Sequence, residues 1–318
     1  MVDPRPVVTV IGEALVDLVA VGDGAYQARP GGSPYNVAVG LARLGLRASL
    51  MARLADNAFG RLLRGHAEGE GIDLAASPLA LEPTTLAVVS LDEQARATYD
   101  FYLDGTADWQ WTSAETDRLR QDTAVLHFGS LASWTPPGCD TVLAMVGAVH
   151  QAGAVLVSYD PNVRPLLLGD PARGRERVER SVGVSHVVKA SREDVEWLYP
   201  GSGVQQVADR WLELGPLCVV VTDGAEGAHA FRAGAPGVRS AGRRTRVVDT
   251  VGAGDSFTAG FLAALVHRGV HQPDAVAGLD SSELGTLLDD AIVVSSLTCE
   301  RVGADPPTAA ARDRALLA

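Results

Sequence analysis

Residues 249–261 read DTVGAGDSFTAGF, and their types and spacing concentrate more chemistry than any other stretch of the chain. Gly252, Ala253 and Gly254 are small enough for backbone to lie against a ligand, and the apolar pattern after them starts a helix. The first turn of a helix carries N–H groups without internal partners at the positive end of the macrodipole, so these three amides make a site for phosphate oxygens. Asp255 falls in that turn. A carboxylate there can take the proton of an attacking hydroxyl, as phosphoryl transfer requires. Read locally, the same aspartate could equally complement the helix dipole, a contribution of about 0.3–1 kcal/mol, with the glycines serving a tight turn. Two other phosphate motifs fail. A dinucleotide fingerprint needs a third small residue where Phe257 stands, and a P-loop needs a GxxxxGKS or GxxxxGKT run that the chain lacks. The one lysine, Lys189, follows no glycine-rich run.

A second segment, GGSPYNVA at 31–38, closes a strand-like stretch and opens a helix. Ser33 reads as the N-cap, Pro34 as the first helical residue and Gly45 as the stop. Gly31 and Gly32 permit close approach of a polyhydroxylated ligand, and Asn36 offers a donor and an acceptor to vicinal hydroxyls. A glycine turn with a routine cap would produce the same letters.

These segments need a scaffold. Apolar, β-branched runs at 7–11, 125–128, 155–158, 186–188 and 218–222 each end in polar or glycine residues, which suits buried parallel strands with loops at their carboxyl ends. Helical patterns at 36–44, 142–150, 204–214 and 254–267 lie between them. The alternation predicts a layered α/β sheet with a ligand crevice at the strand ends. Residues 14–30 and 84–111 break this rhythm: both are strand-like, and the second holds Tyr99, Phe101, Tyr102, Trp109 and Trp111 around an Asp104-Gly105 turn. They form either a small extra sheet that covers the cleft and excludes water, or an ordinary edge extension. Residues 309–318 read as a frayed end.

With 318 residues, 47% of them hydrophobic, the chain can bury a large core, and it has no apolar run long enough to span a membrane. The N-terminus lacks a basic region before its first apolar run, which already carries Glu13 and Asp17, so this is a core strand and not a signal peptide. Cys139, Cys218 and Cys299 are odd in number and far apart, which suits reduced residues in a cytoplasmic protein. A formal charge of −12 disfavours nucleic-acid and acidic-membrane partners, so any polyanionic ligand must be handled locally.

Together, the segments at 31–38 and 249–261 resemble the paired signatures of the ribokinase-like (pfkB) carbohydrate kinases, GGxxxN and DTxGAGDxFxAGF, and the resemblance runs from Gly12-Glu13 to Pro306-Pro307. It implies a three-layer α/β/α core with a mostly parallel central sheet, built from 1–13, 31–83 and 112–318, and a β-sheet lid from 14–30 and 84–111. By this resemblance Asp255 is the catalytic base and the amides of Gly252, Ala253 and Gly254 form the anion hole. Asp17, Gly31, Gly32 and Asn36 hold sugar hydroxyls, with Phe101 and Tyr102 facing the sugar from the lid. Thr222, Gly224 and Gly227 resemble the family's TxGxxG turn beneath the nucleotide. Lys189, Ser191 and Asp194 match the KxSxxE variant of its NxxE element, with Asp194 in place of Glu, where it would order water around magnesium; a capping box from Ser191 to Asp194 is the alternative. The cofactors implied are ATP and Mg2+, with a monovalent cation such as K+ in some members near the loop at Asp249. The lid is also the surface through which members of the family can pair as dimers.

YDPNVR at 159–164 resembles the DxNxR element of the fructokinase and 2-keto-3-deoxygluconate kinase branch, in which the arginine, here Arg164, reaches the acceptor. The ending at 296–307 resembles that of bacterial fructokinases. Where the branch often has FYR in the lid, this chain has Phe101-Tyr102-Leu103, one cation fewer for a carboxylate or second phosphate. The reading is therefore an ATP-dependent kinase of a neutral ketohexose, fructose first. Ketodeoxygluconate kinase or another sugar or nucleoside kinase of the family, and a non-catalytic sugar or nucleotide sensor, stand as alternatives.

Overall fold

The computed structural model describes residues 5–91 and 97–317. Its main sheet has eight strands: β1 (Val7–Ile11), β4 (Arg47–Met51), β9 (Thr123–Gly129), β10 (Leu156–Asp160), β11 (Val187–Ser191), β12 (Cys218–Thr222), β13 (Gly227–Phe231) and β14 (Val238–Ala241). They lie in the order β14-β13-β12-β11-β10-β9-β1-β4, parallel except where β13 pairs with β12 and β14. A smaller sheet has the order β3-β2-β7-β8, from β2 (Leu15–Gly22), β3 (Ala25–Gly31), β7 (Leu86–Leu91) and β8 (Ala97–Tyr102). Between β4 and β7 in sequence lies a short ribbon of β5 (Leu54–Ala55) and β6 (Leu79–Ala80).

Successive strand residues point to opposite faces, so the sheet divides its apolar side chains between two cores. Val8, Val10, Val187 and Val220 face one core and Ile11, Phe128, Tyr159 and Val221 the other. The first is closed by α1 (Ser33–Arg43), α2 (Ala58–Gly69), α9 (Ala253–His267), α10 (Pro273–Ala277) and α11 (Ser281–Cys299). The second lies under α4 (Cys139–Ala152), α5 (Pro165–Leu168), α6 (Pro171–Val182), α7 (Arg192–Leu198) and α8 (Val204–Leu214), with the single turn α3 (Ser113–Thr116) before them. A final helix, α12 (Ala309–Leu316), occupies the stretch expected to fray, with Thr308 as its N-cap. Among the described residues no helix is long and apolar enough to cross a membrane.

The strand at 7–11 and 218–222 and the helix at 204–214 have the expected limits. β11 runs three residues past the expected 188, because Lys189 and Ser191 still pair with Val220 and Thr222 although their side chains are polar. The aromatic segment 84–111 is strand only to Tyr102; a turn and a short 3-10 helix, Ala107–Trp109, follow. Trp109 and Trp111 are 2% and 5% exposed and belong to the second core, so the small sheet does not own them. Residues 92–96 of that segment lie outside the described ones.

Helix α9 is buried along nearly its whole length after Asp255, which is tolerable only because small residues let its neighbours come close. A Cβ on Gly40 would stand 2.6 Å from Ala259, and one on Gly260 would stand 2.9 Å from Val294. Glycine here sets the separation of α1, α9 and α11. It thereby brings the N-terminal ends of α1 and α9 side by side, where residues more than two hundred positions apart in sequence can touch.

Candidate active site

A cavity of about 1170 Å³ opens between the carboxyl ends of the parallel strands, the inner face of the small sheet and the N-terminal ends of α1 and α9. Pockets of this size hold small-molecule ligands, and strand ends in open α/β sheets are where they form.

Asp255 lies on its wall, with both carboxylate oxygens held by side chains from α1. Ser33 Oγ donates to Oδ1 at 2.6 Å and Asn36 Nδ2 donates to Oδ2 at 2.8 Å. Ser33 is not the N-cap expected from the sequence. Gly32, at φ 102°, caps α1 without a side-chain bond, which frees the Ser33 hydroxyl for Asp255. Burial raises the Asp255 carboxyl above its usual range; the two donors pull it back, Asp160 pushes it up and Lys189 pulls it down. A carboxylate so placed, oriented by two donors and less acidic than in water, suits a general base.

Gly252 caps α9 in the left-handed region at φ 74°, and a Cβ there would strike Ala304 at 2.5 Å, so only glycine fits both the backbone and the neighbour. Of the three expected anion-hole amides, Ala253's is turned back to the Thr250 carbonyl at 3.2 Å, closing the turn that Gly252 permits. Among the described residues those of Gly252 and Gly254 have no protein partner and line the cavity. The loop is fixed by Asp249, whose carboxylate accepts from the amides of Val251 at 3.1 Å and Gly303 at 2.7 Å.

Asp17, Gly32, Asn36, Phe101 and Arg164 also line the cavity, Asn36 in direct contact with Asp255. Asp17 leans over Gly31, leaving no room for a Cβ there. Its carboxyl is raised to about 6 by burial and by the charge of Asp255, against the pull of Arg164. Arg164 is exposed and donates to Asn162 Oδ1 at 2.8 Å. Tyr102 does not face the cavity: one residue on from Phe101 along β8, it points the opposite way and is 61% exposed. Only one of two adjacent strand residues can meet a ligand on a given face.

The residues expected at the nucleotide occupy the ends of β11 and β12 and lie outside this cavity. Lys189 is buried, donates from Nζ to Asp160 Oδ2 at 2.9 Å and sits behind Gly254, 3.1 Å from where its Cβ would be. It backs the loop at 252–254 and does not line the cavity. Burial alone would lower its ammonium, but Asp160 and Asp194 more than offset this and hold it above the usual range. Ser191 and Thr222 are register partners, Gly224 follows at φ 51°, and Gly227, at φ 106°, lies so close to the Ser240 carbonyl that no side chain fits. Asp194 is 7% exposed, with Oδ2 accepting from the Ser191 amide and Oδ1 from the Val163 amide, both at 2.8 Å. That is the capping box the sequence offered as the alternative reading, and each Asp194 oxygen accepts one backbone amide. Among the described residues no group of three or more His, Cys, Asp or Glu is placed to cage a metal.

Sequence reasoning did not assign Glu13 or Arg29 to the site. Glu13 is buried at the cavity floor, where burial raises its carboxyl to about 7 although Ser130 and the Ala132 amide donate to it. Its signal was an acid at the end of an apolar strand. Arg29 gave none.

A family model described as "pfkB family carbohydrate kinase" matches residues 6–311. A fructokinase of Rhizobium leguminosarum bv. trifolii is 34% identical over 277 residues, 86% of this chain and 84% of its own. The fold matches a fructokinase of Xylella fastidiosa solved with bound ATP (TM-score 0.90, 25% identity, 98% of each chain). It also matches a fructokinase of Vibrio cholerae solved with fructose, ADP and calcium ion (TM-score 0.81, 28% identity, 95% of each chain).

Proposed function

The chain belongs to the pfkB family of carbohydrate kinases, and from that premise we propose that it transfers the γ-phosphoryl group of ATP to a primary hydroxyl of fructose, O6 before O1. The observation that carries this reading is Asp255 at the mouth of the α9 anion loop, gripped by Ser33 and Asn36 and facing the cavity. The fructose hydroxyl gives its proton to Asp255 as its oxygen attacks the γ-phosphorus. The Gly252 and Gly254 amides meet the charge that develops on the phosphoryl oxygens, and ADP leaves.

The acceptor end supports a neutral sugar. Glu13, Asp17 and Asp255 line it together with Arg164, and their carboxylates oppose an acceptor already carrying a carboxylate or phosphate. Leu103, where a further cation would stand, packs on the second core instead. Asp17 and the free Asn36 carbonyl are placed for sugar hydroxyls, and Phe101 for the apolar face of the ring.

Magnesium is expected to come with the nucleotide, held by phosphates and water, where it would offset phosphate charge; a monovalent cation such as K+ would belong to the loop that Asp249 fixes. Thr222, Gly224 and Gly227 are assigned to the nucleotide at the ends of the strands beyond the cavity. The small sheet acts as a lid and offers a surface for pairing two copies, and the protein works in the cytoplasm on a small sugar and ATP.

A coupled ADP-release assay with ATP, magnesium and a panel of fructose, ribose, tagatose, ketodeoxygluconate, fructose 6-phosphate and adenosine tests the acceptor. Fructose should give the highest kcat/KM. A higher value for ketodeoxygluconate would transfer the assignment to the neighbouring branch, and binding of sugars without ADP release would make the protein a sensor.

A further inference from the structure

The transferring phosphoryl group meets amides on one side only, in a cavity whose other end is acidic, so its far side calls for a cation. Three arginines line the cavity: Arg29, Arg43 and Arg164. Arg43 is consumed by Glu70 at 2.9 and 2.7 Å, by Asp305, and by the Pro306 carbonyl at 2.9 Å. Arg164 belongs to the acceptor end, where its charge lowers Glu13 and Asp17. Lys189 is buried against Asp160.

Arg29 differs from all three. Its bonds go to a neutral acceptor, the Gln27 Oε1, from Nε at 3.3 Å and Nη2 at 2.9 Å. Its Nη1 instead lies 3.0 Å from where a Cβ on Gly303 would be. Gly303 is tied to Asp249, and the next residue, Ala304, touches Gly252. The guanidinium therefore hangs from β3 over the pair of loops that carries the anion-hole amides. Across the β2–β3 ladder Arg29 stands directly opposite Asp17, and both line the cavity. Asp17 leans back over Gly31 toward the acceptor, Arg29 forward toward Gly303. One rung of the small sheet thus offers a carboxylate to hydroxyls and a guanidinium to phosphate.

We infer that Arg29 is a catalytic residue whose guanidinium meets the oxygens of the phosphoryl group in flight, from the side opposite the Gly252 and Gly254 amides. The inference rests on the kinase reading above. No bond to Arg29 forms or breaks: the bond from the γ-phosphorus to the bridging oxygen of ADP breaks, the bond to the sugar oxygen forms, and the hydroxyl proton goes to Asp255. A planar, permanently charged fork suits three spread oxygens better than an ammonium would.

The test is steady-state kinetics with ATP and fructose on wild type, Arg29→Ala, Arg29→Lys and the length-matched Arg29→Gln, with thermal melting as the check on folding. Arg29→Ala should lose about 10²–10³-fold in kcat, with the fructose KM within about threefold. Arg29→Lys should fall between it and wild type, and guanidinium added to the buffer should restore part of the Arg29→Ala turnover. A kcat within about twofold of wild type in folded Arg29→Ala or Arg29→Gln, or a loss confined to the fructose KM, overturns the inference. An active wild type with indifferent Arg29 variants defeats this inference alone, whereas a wild type that turns over no sugar defeats the kinase reading and takes Arg29 with it.

Discussion

Asp194 and Asp255 occupy the same place in two helices, the third residue after the N-cap, and are used in opposite ways. At α7 the cap is Ser191, and both oxygens of Asp194 accept from backbone amides in a site almost closed to solvent. At α9 the cap is Gly252, which has no side chain to offer, and Asp255 is held by the side-chain donors Ser33 and Asn36 while facing a cavity. Burial raises the carboxyl of each. Electrostatic perturbation therefore does not separate them; the kind of partner does. A carboxylate whose oxygens are spent on amides fixes backbone, whereas one steered by side chains next to free amides can exchange a proton with a ligand.

Gly252→Ala should show a large loss, about a hundredfold or more in kcat, because it strains a left-handed residue and drives a methyl into Ala304. Steady-state turnover of the folded variant measures it. Ser33→Ala and Asn36→Ala should each cost about tenfold, since a positioned base loses one of its two guides. Both donors lower the Asp255 pKa, so removing either raises it further, and the acid limb of kcat/KM should move to higher pH.

The acceptor carboxylate provides a gentler probe. Asp17 accepts hydroxyl bonds best when ionised, so kcat/KM for fructose should rise as pH climbs through about 6. Arg164 lowers that pKa; hence Arg164→Ala should shift the limb upward, and an unmoved limb would place Arg164 away from Asp17 in solution. The smallest catalytic effect is expected at Asp194→Asn, with kcat and its magnesium dependence within about threefold of wild type. The variant turns an amide donor toward a backbone N–H, so its unfolding free energy, measured in denaturant, should drop by about 1–3 kcal/mol. A collapse of magnesium-dependent turnover without loss of stability would erase the contrast between the two aspartates.

The glycine turn and helix start at 252–255 were legible because they are contiguous: Gly252, Gly254 and Asp255 lie in one stretch that opens α9. Strands at 7–11 and 218–222 were equally plain, being short apolar runs with polar ends. What the letters hid depends on long-range placement or on register. The Ser33 contact spans 222 residues and exists because Gly40 and Gly260 let three helices close up. Phe101 and Tyr102 differ only in strand parity, and Arg29 gains meaning only once β3 is laid over the loop at Gly303. At Asp194 the capping box read from the sequence is present, closed by the Ser191 side chain and amide.

The most direct test of the account is Asp255→Asn, with fructose binding and turnover measured on the same preparation. The account predicts fructose affinity within about threefold of wild type and kcat lower by about 10²–10⁴-fold, the range lost with a positioned general base. Turnover equal to wild type would contradict it and remove Asp255 from the chemistry.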